Sequence, residues 1–333
     1  MFLTRRNYND SDAAKIQIKN ILVVRPNHRL GNQLLLTPLL REIEKLYPGA
    51  NVSLLVKGNA GQEIFKTYNL YRIYQLPRKP LQQPLRYLKV LIQSITPSYD
   101  VAFNAIPTSS SGRLFTSWAD AKIRFLGYER TSSDLQVEDD IHMGKAPVYD
   151  FRRLVSALKN NGLIKDRINR LDIRLTDQEL KQGHDILRSL FHNAKPTIVL
   201  YTYATRDKIY SNYWWREFFD KLKDRHTDHN FLEVLPIEIV SQLSFSITTF
   251  YSRDIREIAS VIGNSSVFIG ADSGMMHLAS SSGAPTVGLF KVTDIEKYAP
   301  YGNGSQAFNT DNVDIDTIVG AIEELVNNRL VHL

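Results

Sequence analysis

Residues 267–290 read VFIGADSGMMHLASSSGAPTVGLF. An apolar β-branched and aromatic run, Val267 to Ala271, stops at Asp272-Ser273-Gly274. A helical pattern follows from Met275 to Ser281, and a second apolar run occupies Thr286 to Phe290. Strand, helix and strand in this order make a parallel crossover unit. The turn between the first strand and the helix is where open α/β sheets bind ligands. Free amides and the positive end of the helix suit a phosphate or diphosphate there, and Gly274 lets the backbone come close. Asp272 would repel such a ligand unless a cation or hydrogen-bond donors stood beside it. Ser273 can cap the helix or offer its hydroxyl, and His277 lies one turn further on.

Outward from this unit the same alternation recurs. Thr197–Tyr203, Phe231–Leu235 and Val267–Ala271 read as strands, with helices over Tyr213–Lys223 and Arg253–Ile262. A first series runs from Ile21–Arg25 through a helix carrying Leu34, Leu35, Leu39, Ile43 and Leu46 to a strand over Asn51–Val56. Arg72–Gln75, Val101–Ala105 and Lys122–Phe125 are further strand candidates. Two such series imply an α/β protein of two doubly wound domains, about 1–170 and 171–333. The hinge is expected near 165–190, residues 1–15 form a loose polar tail, and a final helix covers Ile315–Val326. The length of 333 residues agrees, at roughly 150 per domain.

Composition narrows the function. A hydrophobic share of 43% with 23% charged residues fits folded cores and excludes a disordered or collagen-like chain. The absence of cysteine excludes thiol catalysis and thiolate metal sites. No run approaches the ~18 apolar residues of a membrane span, and the first residues lack a secretory apolar core. The reading is a cytoplasmic protein, with peripheral contact to the cytoplasmic face of the inner membrane left open. Net charge is +6, unevenly spread: residues 1–100 hold 15 Lys and Arg against 6 Asp and Glu, and residues 251–333 hold 5 against 10. Nucleic acid is a poor partner, because no recognition motif accompanies this modest charge.

Weak motifs fall away. The loop Pro26-Asn27-His28-Arg29-Leu30-Gly31 has one glycine where a dinucleotide fingerprint needs several, and no Walker A sequence occurs. Asp10-Ser-Asp12 and Asp314-Ile-Asp316 fit a D-x-D pattern, but solvation and helix capping account for them. His184 and His192 read as surface residues, and His226 and His229 as members of a polar loop. No metal site or cofactor is expected. A stronger partner for Asp272 comes from the loop after the Thr197 strand, which carries Thr205, Arg206 and Lys208. Lys208 is a compact charge suited to phosphate and to resolving the conflict at Asp272; Arg206 could bind phosphate as a fork.

Together these segments resemble glycosyltransferase family 9, the heptosyltransferases. The resemblance rests on Arg25 through Gly31-Asn32 to Leu35-Leu36-Thr37-Pro38, on Arg206-Asp207-Lys208 with Trp214 or Trp215, and above all on Asp272-Ser273-Gly274-Met275-Met276-His277-Leu278-Ala279, continuing through Pro285 to Leu289-Phe290, Thr293-Asp294, Tyr298, Pro300 and Gly302. It spans about residues 20–305. It implies a GT-B fold, two Rossmann-like domains facing a cleft, and inverting, metal-independent transfer of heptose from ADP-heptose to a lipopolysaccharide core or related glycolipid. The C-terminal domain would bind the donor through Lys208, Asp272, Ser273, Gly274 and His277, and Thr205, Arg206, Met275 and Lys291 are further candidate donor contacts of this chain. The N-terminal domain would bind the acceptor through Arg29, Gly31, Arg78 and Lys79.

The chain departs from the family at two places. The usual Gly-Asp, whose acid is the general base, is Gly31-Asn32 here, and a neutral amide cannot take a proton. Asn32 can orient the acceptor hydroxyl. His28 is the nearest replacement base, or else a plain exposed loop residue. Lys291 stands where the family has glycine, which opens the identity of the donor sugar to another hexose. A catalytically silent sugar-nucleotide or glycolipid binder is the alternative reading. Finally, Leu85, Leu88, Leu91, Ile92 and Ile95 recur at helical spacing with Arg78, Lys79, Arg86 and Lys89 interleaved. This is either a helix for an anionic membrane surface or one that buries Leu88 and Ile92 in the core.

Overall fold

The structure is a computed structural model that describes residues 3–5, 17–127, 141–159, 162 and 164–330. The chain divides into two compact units at Asn169 and Arg170. In the N-terminal unit the described elements are β1 (Leu3–Arg5), β2 (Asn20–Val24), α1 (Leu30–Leu34), α2 (Thr37–Leu46), β3 (Asn51–Lys57), α3 (Ala60–Ile64), β4 (Arg72–Leu76), α4 (Pro84–Ile95), β5 (Tyr99–Asn104), α5 (Ser110–Trp118), β6 (Ala121–Phe125) and α6 (Ala146–Lys159). The sheet order is β1-β6-β5-β2-β3-β4. All pairs are parallel except β1 with β6. Ile21 to Val24 are fully buried, as a central strand covered on both faces must be.

Several expectations need correction. Leu3–Arg5 is not part of a loose tail: it pairs antiparallel with Ile123–Phe125, satisfying an otherwise open sheet edge. Asp10 and Asp12 lie outside the described residues. The single helix expected from Leu34 to Leu46 is broken into α1 and α2. Pro38 has no amide proton to continue the ladder, and the Thr37 hydroxyl donates instead to the Leu34 carbonyl at 2.7 Å. Helix α6 was not anticipated. It is riveted to α2 by a wholly buried pair in which Arg152 donates to Glu42 at 2.7 and 3.0 Å.

Helix α4 also differs. Leu91 and Ser94 are buried, and Tyr87, Val90 and Ile95 pack on the core of the sheet's face. Leu88 and Ile92 are exposed, which removes the core reading for these two. They stand nearly a third of a turn away from the buried stripe.

The C-terminal unit contains α7 (Asp177–Phe191), β7 (Thr197–Tyr201), α8 (Asn212–Arg225), β8 (Asn230–Val234), β9 (Thr248–Phe250), α9 (Ile255–Gly263), β10 (Val267–Ala271), α10 (Gly274–Ser281), β11 (Thr286–Phe290), α11 (Ile295–Tyr298), β12 (Gln306–Asn309) and α12 (Ile315–Leu330). Its sheet is parallel throughout in the order β12-β11-β10-β7-β8-β9. The chain builds outward from β7 to β9 and then crosses back to begin again at β10. The topological switch point therefore lies between the carboxyl ends of β7 and β10. Trp215, Phe218, Leu222 and Ile318 fill the core beneath.

The stretch 164–176 is irregular and contains the division between the units, and α7 follows it. Thr176 and Glu179 form a capping box at its start. Gly183 meets the Ser260 carbonyl of α9 so closely that a Cβ would collide with it. Arg256 on α9 donates to Glu179 at 2.5 and 2.7 Å and to the carbonyls of Ile173 and Arg174. No helix among the described residues is long and apolar enough to cross a membrane.

The Arg256 guanidinium, with the Thr176 amide and hydroxyl, holds the Glu179 carboxyl down to about 2. A depressed carboxylate stabilises the fold above its unfolded value of 4.5 and loses that contribution as pH falls from there towards about 2. Glu179→Gln should therefore cost about 3 kcal/mol at pH 7 and progressively less below pH 4.5, measured by urea unfolding across that range.

Candidate functional site

Strand β10 pairs with β7 in the register Ile269 to Leu200 and Gly270 to Tyr201, so the two strands end side by side. The β7 loop turns through a short 3-10 segment, Arg206–Lys208, with Arg206 at φ 58. A left-handed arginine is locally strained, and such residues persist where surrounding structure holds them. The turn aims Lys208 at the end of β10, where its ammonium meets the Asp272 carboxylate at 2.5 Å. Asp272 is buried and Lys208 about one-third exposed. One of the three ammonium protons is thus used, and two remain for a ligand.

Helix α10 begins immediately after Asp272. Ser273 occupies the cap position in extended conformation, yet its side chain makes no capping bond. The Ser273 hydroxyl is buried and has no hydrogen-bond partner among the described residues. A buried hydroxyl left this way at a helix start is available to hydrogen-bond an arriving group. Gly274 and Met275 follow in the first turn and are half-buried. His277 is buried on the same helix, its ring 6.4 Å from that of Tyr298.

Lys291 extends this end of the sheet. It leaves β11, donates to the Ile209 carbonyl at 2.9 Å and lies 5.3 Å over the ring of Tyr210. Tyr210 is itself fixed by Thr310 at 2.9 Å and by Trp214, 4.4 Å between rings. Burial pushes the Tyr210 phenol up to about 12, so it stays neutral. Thr205 and Arg206 are exposed beside it. Behind the loop, the wholly buried Glu233 of β8 accepts from Thr202 at 2.5 Å and from Ser241 at 2.6 Å. Burial pushes its carboxyl up against the pull of the two hydroxyls. Glu233 and Tyr210 were missed from sequence. A lone Glu at the end of an apolar strand, NFLEV, was the available signal.

In the N-terminal unit the switch point lies between β2 and β5. Arg25, buried at the end of β2, donates to the Asn32 side-chain oxygen at 3.1 Å. The loop that follows is held from beneath by Gln33, another residue sequence reasoning missed. Its amide donates to the Asn27 carbonyl at 3.0 Å and to the Lys57 carbonyl at 2.9 Å. His28 and Arg29 are exposed on this loop, Gly31 is buried in α1, and Gly58, at φ 82, packs against the backbone and Cβ of His28. Burial and the positive charges of Arg78, Lys57 and Arg29 lower the His28 imidazole below its usual 6.5. His28, Arg29 and Arg78 are thereby gathered at one end of this sheet; Lys79 is exposed next to Arg78. His226 and His229, expected in a polar loop, are both buried, their rings 5.2 Å apart. Asp314 caps α12 through the Thr317 amide. No cluster of three or more potential metal ligands exists among the described residues.

Solved structures share this architecture. A glycosyltransferase family 9 protein of Veillonella parvula matches at a TM-score of 0.73 and 15% identity, covering 93% of this chain and 97% of that one. E. coli ADP-heptose lipopolysaccharide heptosyltransferase II matches at 0.65 and 13%, covering 94% and 100%. E. coli heptosyltransferase WaaC with ADP matches at 0.64 and 13%, covering 93% and 99%. Two Rossmann-like units built this way place the fold with the GT-B type glycosyltransferases. No curated protein matches the sequence. The family model for glycosyltransferase family 9 (heptosyltransferase) matches residues 90–315, and the chain belongs to that family.

Because the Ser273 hydroxyl caps nothing, Ser273→Ala should change stability by less than about 0.5 kcal/mol, where losing a capping serine costs about 1 kcal/mol. Chemical denaturation of the two proteins measures the difference.

Proposed function

We propose that the chain transfers a heptose, with inversion and without a metal ion, from ADP-heptose to a lipopolysaccharide inner-core or related glycolipid acceptor. The observation that carries the donor half is the Lys208–Asp272 pair set at the start of α10 beside the unused Ser273 hydroxyl. Family membership supports it, as does the fact that WaaC has been solved with ADP and with ADP-2-deoxy-2-fluoro heptose. The domain from 171 to 333 takes the donor. Lys208, Ser273 and the Gly274 and Met275 amides hold the diphosphate, Arg206 and Thr205 close over it, and Lys291, His277 and Asp272 place sugar and phosphate. The domain from 1 to 170 takes the acceptor, with Arg29, Gly31, Arg78 and Lys79 binding its acidic groups.

In the reaction the acceptor oxygen bonds to the anomeric carbon while the bond to the diphosphate oxygen breaks. The departing ADP gains negative charge, which fixed amides, the helix end and the Lys208 ammonium stabilise. The acceptor's proton goes to His28. Partial burial, and then the cations Arg78, Lys57 and Arg29, lower the His28 imidazole and favour its neutral, proton-accepting form. Asn32, oriented by Arg25, holds the acceptor hydroxyl. That same contact favours a second reading. An amide engaged by Arg25 where the family carries its base is what a catalytically silent sugar-nucleotide binder would show.

Incubation with ADP-heptose and Kdo-lipid A, followed by ADP release, separates the two. Acceptor-dependent release is expected, reduced at least about 100-fold by Lys208→Ala. Tight donor binding without release would establish the silent binder. The rate should rise with pH along a limb below 6.5, where protonated His28 loses its proton. His28→Ala should abolish that limb and lower kcat about 100-fold or more. Unchanged turnover in His28→Ala would remove it as the base.

A further inference from the structure

Helix α4 carries two apolar stripes, and the fold covers only one. The covered stripe runs through Tyr87, Leu91 and Ser94 onto the sheet. The uncovered one begins in the preceding turn and follows a spacing of four, three and four residues: Leu81 at 96% exposure, Leu85 at 83%, Leu88 at 53% and Ile92 at 47%. The neighbouring α5, which meets α4 through the ring contact of Phe115 with Tyr87, adds exposed Leu114 and Trp118, one helical turn apart. Large apolar side chains so grouped on a surface mark a binding face.

The charge around this face identifies its partner. From Ile64 to Ala119 the sequence holds seven Lys and Arg and one carboxylate, Asp100. Asp100 is buried and occupied, accepting from the Lys19 and Asn20 amides and from the Lys122 ammonium at 2.8, 2.9 and 2.7 Å. Arg86 and Lys89 are exposed beside the uncovered stripe, on its side away from the core. An apolar ridge bordered by cations, with an exposed tryptophan and no exposed acid in that stretch, is complementary to a bilayer that combines acyl chains with anionic headgroups. A protein partner of ordinary composition would find no acidic residue in these two helices to pair with its own cations.

We propose that the α4–α5 face is a peripheral docking surface for anionic membranes: Leu81, Leu85, Leu88 and Ile92 enter the interface while Arg86 and Lys89 hold headgroup phosphates. It deepens the glycolipid-acceptor reading by naming how the chain reaches a lipid-borne substrate, but the binding itself needs no catalysis.

Sedimentation with vesicles of phosphatidylethanolamine and phosphatidylglycerol in equal parts, against phosphatidylcholine alone, tests it. The full chain should bind the anionic vesicles, bind phosphatidylcholine weakly, and dissociate as salt rises. Leu85→Ser with Leu88→Ser, and separately Arg86→Glu with Lys89→Glu, should each weaken binding at least about tenfold. Melting temperature and ADP binding by calorimetry should stay unchanged in both. Absence of binding to anionic vesicles, or equal binding by the variants, overturns the proposal. So does a wild-type dimer in sedimentation that the leucine substitutions dissolve while vesicles stay unbound, since a second copy would then cover the face. Failure to bind ADP, by contrast, would strike the transferase reading and leave the vesicle result standing.

Discussion

The side-by-side ending of β7 and β10 is the constraint on which the candidate site of the C-terminal unit depends. Parallel pairing leaves no choice about where the two loops emerge, and the reversal of strand order leaves no third strand between them. Lys208 and Asp272, 64 positions apart in sequence, become neighbours because Tyr201 and Gly270 do. The pair then works in two directions. Asp272 keeps the lysine from wandering into solvent, and the lysine makes a buried carboxylate tolerable at a helix start that should welcome negative charge only once. On the proposed reading, a phosphate arriving there would meet an ammonium already in place, which would spare the ordering cost of a long flexible side chain.

Most of this was legible in the residues. Asp272 at the end of an apolar strand called for a cation or donors nearby, and the loop with Arg206 and Lys208 offered cations, of which Lys208 makes the contact. The two series of strands and helices were visible because buried parallel strands are short continuous apolar runs. What was hidden depended on contacts that no local pattern records. The break between α1 and α2 follows from one missing proton at Pro38 and the hydroxyl at Thr37 that replaces it. Helix α6 begins with Ala-Pro-Val and carries charges on its buried side, so its periodicity is blurred until Arg152 is seen against Glu42. Glu233 and Gln33 act from behind their loops, through partners distant in sequence. For α4 the spacing was plain, but periodicity cannot say which of two apolar stripes the core will claim.

The two units also solve the same problem differently. In the C-terminal unit the functional loops are held by charge and hydroxyl contacts among themselves. In the N-terminal unit the β2 loop is clipped to β3 by the Gln33 amide and by backbone bonds, Arg25 to Leu55 and Lys57 to Asn27, while the outward side chains His28 and Arg29 are left exposed. A loop fixed from below with its tips unencumbered can keep its backbone while the groups it offers to a ligand change. Asn32 sits on such a support, its side-chain oxygen accepting from the Arg25 guanidinium.

Gly183 shows a limit of another kind. A glycine inside a long helix sacrifices about 1 kcal/mol of helical preference relative to alanine, so it is the position a stabilisation campaign would replace first. Here the Ser260 carbonyl already occupies the space a methyl group would need. Replacement would lever α7 away from α9 and loosen the Arg256 grip on the chain entering the C-terminal unit. Attempts to toughen this protein therefore have to leave the least helical residue of α7 untouched.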